Sequence, residues 1–175
     1  MPQCYMMVGV PGSGKSTAIQ ALLKDMPHLQ VVSTDDYIDR VAAKSGKTYT
    51  EVYADSIDDA TKWLKAQVQK LIKDKVDFVW DQTNVVKSAR LKRMTNLLSN
   101  KFEVIAIVFE VPVEELHQRL DKRAKETGKF ISRKLLENML NDYTRPGYDE
   151  GFKSIIMNQN GRYVELEKHQ PSLSI

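Results

Sequence analysis

The stretch GVPGSGKST at residues 9–17 constrains this 175-residue chain more than any other feature. A short apolar run, CYMMV, precedes it, and a helix-like stretch, AIQALLKD, follows. Its first eight residues match G-x-x-x-x-G-K-[ST] at every fixed position. Glycines let a loop curl until successive backbone N–H groups point inward, which is the requirement for holding a phosphate. A helix opening near Lys15 adds its positive end to the same point. In such a loop Lys15 bridges the β- and γ-phosphates of a nucleotide and the Ser16 hydroxyl binds Mg²⁺. Gly9, Pro11, Gly12, Ser13, Gly14 and Thr17 complete the expected nucleotide-binding set. A second GKT, at Gly46, Lys47 and Thr48, has Val41 where the upstream glycine is required and no strand ahead of it, so it reads as an exposed loop.

The remainder of the chain repeats the strand-then-helix order that the loop demands. CYMMV (4–8), LQVVS (29–33), VDFVW (76–80) and VIAIVF (104–109) are apolar without polar alternation. Runs of that kind suit parallel strands buried on both faces. A fifth strand is expected from SIIM (154–157) or YVELE (163–167). Helical patterns lie between the runs, at 15–24, from 35 to about 43, from about 51 to 73 and from about 87 to 98. In the long third pattern Ile57, Ala60, Leu64, Val68 and Leu71 recur at spacings of three and four, which puts them on one face. Pro112 opens a further helix with Glu114 and Glu115 in its first turn, and Ser132 can cap a last one through 143. TRPGYDEG (144–151) reads as loop. The expected fold is α/β, a doubly wound parallel sheet of about five strands with helices on both faces, in one domain spanning 1–175. Ligands of such sheets sit at the carboxyl ends of the strands, so the residues just after each run carry the chemistry.

Composition sets the surroundings. With 42% apolar and 28% charged residues the chain is expected to be globular. It has no apolar stretch of the roughly 20 residues that a membrane span needs. No charged-then-apolar secretion signal is visible at the N-terminus. The single cysteine, Cys4, falls in the first strand and reads as a small buried apolar residue, and a cytoplasmic setting is expected. The net charge is only +3, but residues 119–134 hold seven Lys or Arg against two acids, Asp121 and Glu126.

Candidate catalytic groups follow from position. Asp35 and Asp36 come directly after the second run, beside the phosphate loop. A kinase needs a carboxylate there to deprotonate the attacking hydroxyl. Asp35 is the expected base, with Asp36 as a helix-capping or substrate-side second. Asp81 ends the third run, where a Mg²⁺-holding carboxylate usually stands. Gln82, Thr83 and Asn84 follow at the active edge, and Thr83 and Asn84 are expected to contact substrate. Arg119 and Arg123 are four apart on one helical face. In a region that folds over the nucleotide as a lid, Arg123 would neutralise charge on the transferred group and Arg119 would contact nucleotide.

GVPGSGKST, STDDY, WDQTN and FEVPVEELHQRLDKR together resemble, in order and spacing, the 5′-kinase domain of phage polynucleotide kinases, over roughly residues 3–145. The resemblance implies a P-loop kinase-like fold with a lid at about 113–145. It implies transfer of the γ-phosphate of ATP, with Mg²⁺, to the 5′-hydroxyl of DNA or RNA, and so a nucleic-acid partner. It carries Lys15, Ser16, Asp35, Asp81 and Arg123 to the roles given above. Two departures stand out. Relatives commonly carry an arginine three positions after the catalytic aspartate, where it helps hold nucleic acid, and this chain has Ile38. The appended phosphatase domain of some relatives is not expected in a chain of this length. The alternatives are a kinase for a hydroxymethylated pyrimidine in phage DNA, a small-molecule (nucleoside-like) kinase, and, outside enzymes, a nucleotide-switched binding module. For a 5′-kinase, the basic 119–134 stretch with Lys87, Arg90 and Arg93 would grip strand phosphates. A mononucleoside 3′-phosphate is then expected to be a poor acceptor, which Ile38→Arg would improve.

Overall fold

In the computed structural model, which describes residues 1–159 and 161–168, the chain builds around its first strand. β1 (Gln3–Val8) lies between β3 (Phe78–Trp80) and β4 (Glu103–Phe109), parallel to both, with Cys4 opposite Phe78 on one side and Val104 on the other. β2 (Gln30–Val32) pairs with β3, and β5 (Ser154–Gln159) with β4, also in parallel. β6 (Arg162–Glu165) closes the sheet antiparallel to β5, giving the order β2-β3-β1-β4-β5-β6. Both candidates for the fifth strand are therefore strands. SIIM is the fifth parallel one, and YVELE contributes an antiparallel edge.

Successive strand residues point to opposite faces, and both faces are covered. Cys4, Met6, Val8, Phe78, Trp80, Val104, Ala106 and Val108 pack with α3 (Tyr49–Asp74) and α4 (Lys87–Ser99) through Leu64, Val68, Leu71, Met94 and Leu97. Tyr5, Met7, Val79, Ile105, Ile107 and Phe109 pack with Ala18 and Ile19 of α1 (Lys15–Asp25). Burial on both sides is why these runs lack polar alternation.

Helix ends follow local chemistry. The Ser33 hydroxyl caps α2 (Thr34–Ser45) by accepting from Asp35 N, and Thr48 with Glu51 forms a full capping box on α3. α5 (Val113–Thr127) and α6 (Arg133–Asn141) follow β4, and Ser132 caps α6. Among the described residues no helix is long and apolar enough to cross a membrane.

Three expectations change. Ile38 is fully buried with Ala42, Val52 and Ala60 between α2 and α3, so an arginine there would enter an apolar cluster instead of reaching a ligand. The 144–151 stretch is not plain loop. It holds a 3₁₀ turn (Tyr148–Glu150) whose Glu150 is buried against Arg90 of α4. Arg90 has no solvent exposure and cannot grip a strand of nucleic acid.

Candidate phosphoryl-transfer site

The glycine loop leaves the carboxyl end of β1 and turns into α1. Gly9 donates from its N–H to Thr83 O at 2.8 Å, fastening the loop to the segment after β3. A Cβ on Gly9 would stand 2.6 Å from Ser13 Oγ and 3.0 Å from Phe109 Cβ, so the close approach admits only glycine. Gly14 takes φ +100°, a left-handed turn that lets α1 begin at Lys15. Ser16 and Thr17 are exposed in that first turn. Among the described residues, the buried Ser13 Oγ finds no partner.

Lys15 Nζ donates to Gly9 O at 2.9 Å and to Val10 O at 3.0 Å. Burial lowers its pKa to about 8, against the pull of the Asp81 and Asp35 charges. Asp81 lies just beyond β3 and is tied to the sheet by its N–H to Val32 O at 3.0 Å. Burial pushes the Asp81 carboxyl up, and the Lys15 charge opposes that rise. A carboxyl in that condition is one that a divalent cation would hold ionised. Among the described residues no cluster of three or more His, Cys, Asp or Glu gathers.

Asp35 opens α2 on the neighbouring strand end. The Tyr49 hydroxyl of α3 donates to its Oδ1 at 2.8 Å, while Arg123 Nη2 of α5 lies 3.6 Å and Lys129 Nζ 3.9 Å from its Oδ2. Burial, and then the Asp35 charge, push the Tyr49 phenol well up, so it remains a donor. The Asp36 carboxyl is raised by partial burial and then by Asp35. Arg119 Nη1 donates to Gly12 O at 3.2 Å, and its other arm pairs with Glu115. Glu115 also lines a cavity of about 340 Å³ with Glu110, Pro112, Arg145, Met157 and Asn158 at the ends of β4 and β5.

The structure thus brings Lys15, Asp81, Asp35 and Arg123 together at the carboxyl end of the sheet, the first three because they follow β1, β3 and β2, and Arg123 because α5 lies against the glycine loop. It gives Asn84 a different use. Asn84 is buried, its amide donates to Met7 O at 2.7 Å, and its Oδ1 accepts from Arg93. Asn84 braces the segment after β3 and does not face substrate, which corrects the expectation for that residue. Arg93, held against Asn84, also lies over the Trp80 ring at 5.3 Å. Gln82 donates to Thr34 Oγ1 at 2.8 Å, and Thr83 contributes its carbonyl to the loop.

Two groups beside Asp35 carried no sequence signal as site residues. Tyr49 starts α3, where the Thr48 cap announces a helix but not the direction of a phenol. Lys129 follows Gly128, the C-cap of α5, within a run of charges that reads as a solvated face. The packing of α3 on α2, and the fastening of the turn after α5 to Thr50 of α3, make them neighbours.

A mostly parallel sheet of this order, with a phosphate loop after its central strand and helices on both faces, defines a P-loop kinase-like α/β domain. Such a fold implies nucleotide binding. The chain belongs to the AAA_33 family, described as an AAA domain, which matches residues 5–146. It is 26% identical over 174 residues to heterogeneous nuclear ribonucleoprotein U-like protein 2 of Mus musculus, covering 96% of this chain and 22% of that protein. It thus spans about a fifth of that relative's length. Among solved structures, one from the PezAT chromosomal toxin–antitoxin system of Streptococcus pneumoniae is similar with a TM-score of 0.72 at 18% identity, covering 94% of this chain and 70% of the other. A fungal RNA kinase gives a TM-score of 0.53 at 16% identity, covering 97% and 77%.

Proposed function

We propose that this chain is an ATP-dependent kinase that transfers the γ-phosphoryl group to a nucleic-acid hydroxyl, above all the 5′-hydroxyl of DNA or RNA. The observation that carries the reading is Asp35. A carboxylate with one oxygen fixed by Tyr49 and the other facing Arg123 stands close enough to Lys15 of the phosphate loop for the two charges to interact. A nucleotide switch has no need of such a base, and a kinase has.

In this reading residues 1–175 form one kinase domain with a lid at about 113–145. Gly9, Pro11, Gly12, Ser13, Gly14, Lys15, Ser16 and Thr17 cradle the phosphates, with Arg119 against the loop from above. Asp35 takes the proton of the acceptor hydroxyl as its oxygen bonds to the γ-phosphorus and the bond to the departing ADP breaks. Lys15 and Arg123 stabilise the charge on the moving group. Ser16 and Asp81 would hold Mg²⁺, which supplies Lewis-acid neutralisation of the phosphate oxygens when bound. Asp36 and Thr83 line the acceptor side.

Support for a nucleic-acid acceptor comes from the basic stretch at 119–134, though six of its seven cations lie within 4 Å of a carboxylate, and from the relatives, a ribonucleoprotein by name and an RNA kinase. One observation favours a second reading. Exposed carboxylates, Asp36 and Asp39 of α2 and Glu51, Asp55, Asp58 and Asp59 of α3, stand on the two helices that carry Asp35 and Tyr49. They would repel a long strand and suit a compact acceptor, a nucleoside-like small molecule. The test is label transfer from ATP to a 5′-hydroxyl oligonucleotide, a 5′-phosphorylated one containing hydroxymethyluracil, and free nucleosides. Label on the first alone is expected. Label on the second alone would replace the 5′-kinase reading with the modified-base kinase.

A further inference from the structure

Asp35 already holds a hydroxyl. Tyr49 Oη donates to its Oδ1 at 2.8 Å, and among the described residues no other hydroxyl bonds to that carboxylate. Tyr49 is half-buried at the first position of α3, and the turn after α5 closes beside it. Thr50 Oγ1 donates to Gly128 O at 2.6 Å and accepts from Phe130 N at 3.0 Å. That fastening lays the Lys129 ammonium over the Tyr49 ring, 4.5 Å from its centroid. Arg123, 3.6 Å from Asp35 Oδ2, is near enough to act on the phenol through its charge. Lys15 of the phosphate loop feels the charges of both Asp35 and Arg123. A hydroxyl, a carboxylate to take its proton and the cations assigned above to the moving phosphoryl group therefore stand together.

Those are the parts that phosphoryl transfer needs, with the receiving hydroxyl supplied by the chain itself. A side chain already seated on the base requires no encounter with a second molecule. Burial and then the Asp35 charge keep the phenol protonated, so its proton leaves only as the new bond forms, which is general-base chemistry. We propose that Tyr49 is a self-acceptor: with ATP bound and no external acceptor present, its oxygen bonds to the γ-phosphorus, the bond from that phosphorus to the departing ADP breaks, and its proton passes to Asp35. The product is stabilised where it forms. A phosphate at the start of a 26-residue helix meets the positive helix end. Lys129 and Arg123 supply charge-assisted donors that offset the Asp35 carboxylate beside it. The proposal rests on the kinase reading above and adds to it an acceptor within the chain.

The test incubates the full chain with γ-labelled ATP and Mg²⁺, without any acceptor, and locates the label by peptide fragmentation in a mass spectrometer. A single phosphoryl group per chain is expected, on Tyr49. The rate per chain should not change on dilution, because the reaction lies within one molecule. Asp35→Asn should slow self-labelling roughly 10²–10⁴-fold, the loss expected for a positioned base. Tyr49→Phe should remove the label. Label on Thr48, Thr50 or Tyr53 in place of Tyr49, label that survives Tyr49→Phe, or a rate per chain that falls on dilution overturns the proposal. A wild type that labels a 5′-hydroxyl oligonucleotide but not itself also overturns it and leaves the kinase reading intact. If neither takes up label, the kinase reading itself falls, and the proposal with it.

Discussion

Arg90 meets Glu150 with neither side chain exposed, through bonds of 2.8 Å (Nε) and 2.7 Å (Nη2), and gives Nη1 to the Asn84 and Val85 carbonyls at 2.9 Å each. Arg123 meets Asp35 at a single 3.6 Å approach, with the side chains 32% and 42% exposed. In the first pair four of the five guanidinium donors are used and water is gone, so its worth lies in holding α4, the turn before β5 and the segment after β3 together. The second keeps free lone pairs and donors, and those are what a reacting group needs. The same residue types therefore serve structure where they are dry and saturated, and are available for chemistry where they are wet and loosely paired. Changes at the first pair should appear in stability and changes at the second in turnover.

The largest expected effect lies beside the second pair. Lys15→Ala should lower turnover by at least ~10³-fold while the protein stays folded, because the cradle lysine stabilises charge in the transition state. Single-turnover kinetics with a circular dichroism spectrum will check this, and a folded variant retaining a tenth of wild-type turnover would refute the loop's assignment. Asp35→Asn should lower kcat roughly 10²–10⁴-fold with near-normal ATP binding and little change in Tm. Asp36→Asn should do less, and the reverse order would make Asp36 the base.

At the buried pair the readout is stability. Glu150→Gln leaves Arg90 charged and dry, and should destabilise the fold by about 3–5 kcal/mol in urea unfolding. Loss of activity without loss of stability would mean that the pair belongs to the site after all. Arg123→Ala should reduce kcat about 10- to 100-fold and change the ATP Michaelis constant less, with Arg119→Ala the milder of the two. A raised Michaelis constant at unchanged kcat would make Arg123 a plain nucleotide contact.

The smallest effect is on pH dependence. Lys15 has its pKa lowered by burial to about 8 in the folded chain. An unfolded lysine titrates near ~10.4, so between these values the unfolded chain binds the extra proton. This group therefore adds stability as pH rises through that window, on the order of 1–3 kcal/mol. The difference in unfolding midpoint between nucleotide-free wild type and Lys15→Met, followed from pH 8 to pH 10, isolates it. A flat difference would show that the lysine stays charged against the loop carbonyls.

Much of the donor side is local and was readable from the chain. A phosphate loop is made by consecutive glycines, a lysine and a hydroxyl, and Asp35 and Asp81 stand where they do because each follows an apolar strand. The strands announced themselves because burial on both faces removes polar alternation, and caps such as Ser33 and Ser132 mark helix ends through bonds two or three residues away. The rest depends on contacts between residues far apart in sequence. Tyr49 and Lys129 reach Asp35 from 14 and 94 residues further along the chain, Glu150 buries Arg90 across 60, and Asn84 turns inward to Met7 across 77. Ile38 occupies a helical position that reads equally well as facing a ligand or facing α3, and only the packing of α3 against α2 decided between them. A sequence pattern carries which residues are neighbours along the backbone. Which charges lose their water, and which side chains share a carboxylate, is set by how the helices close over the sheet.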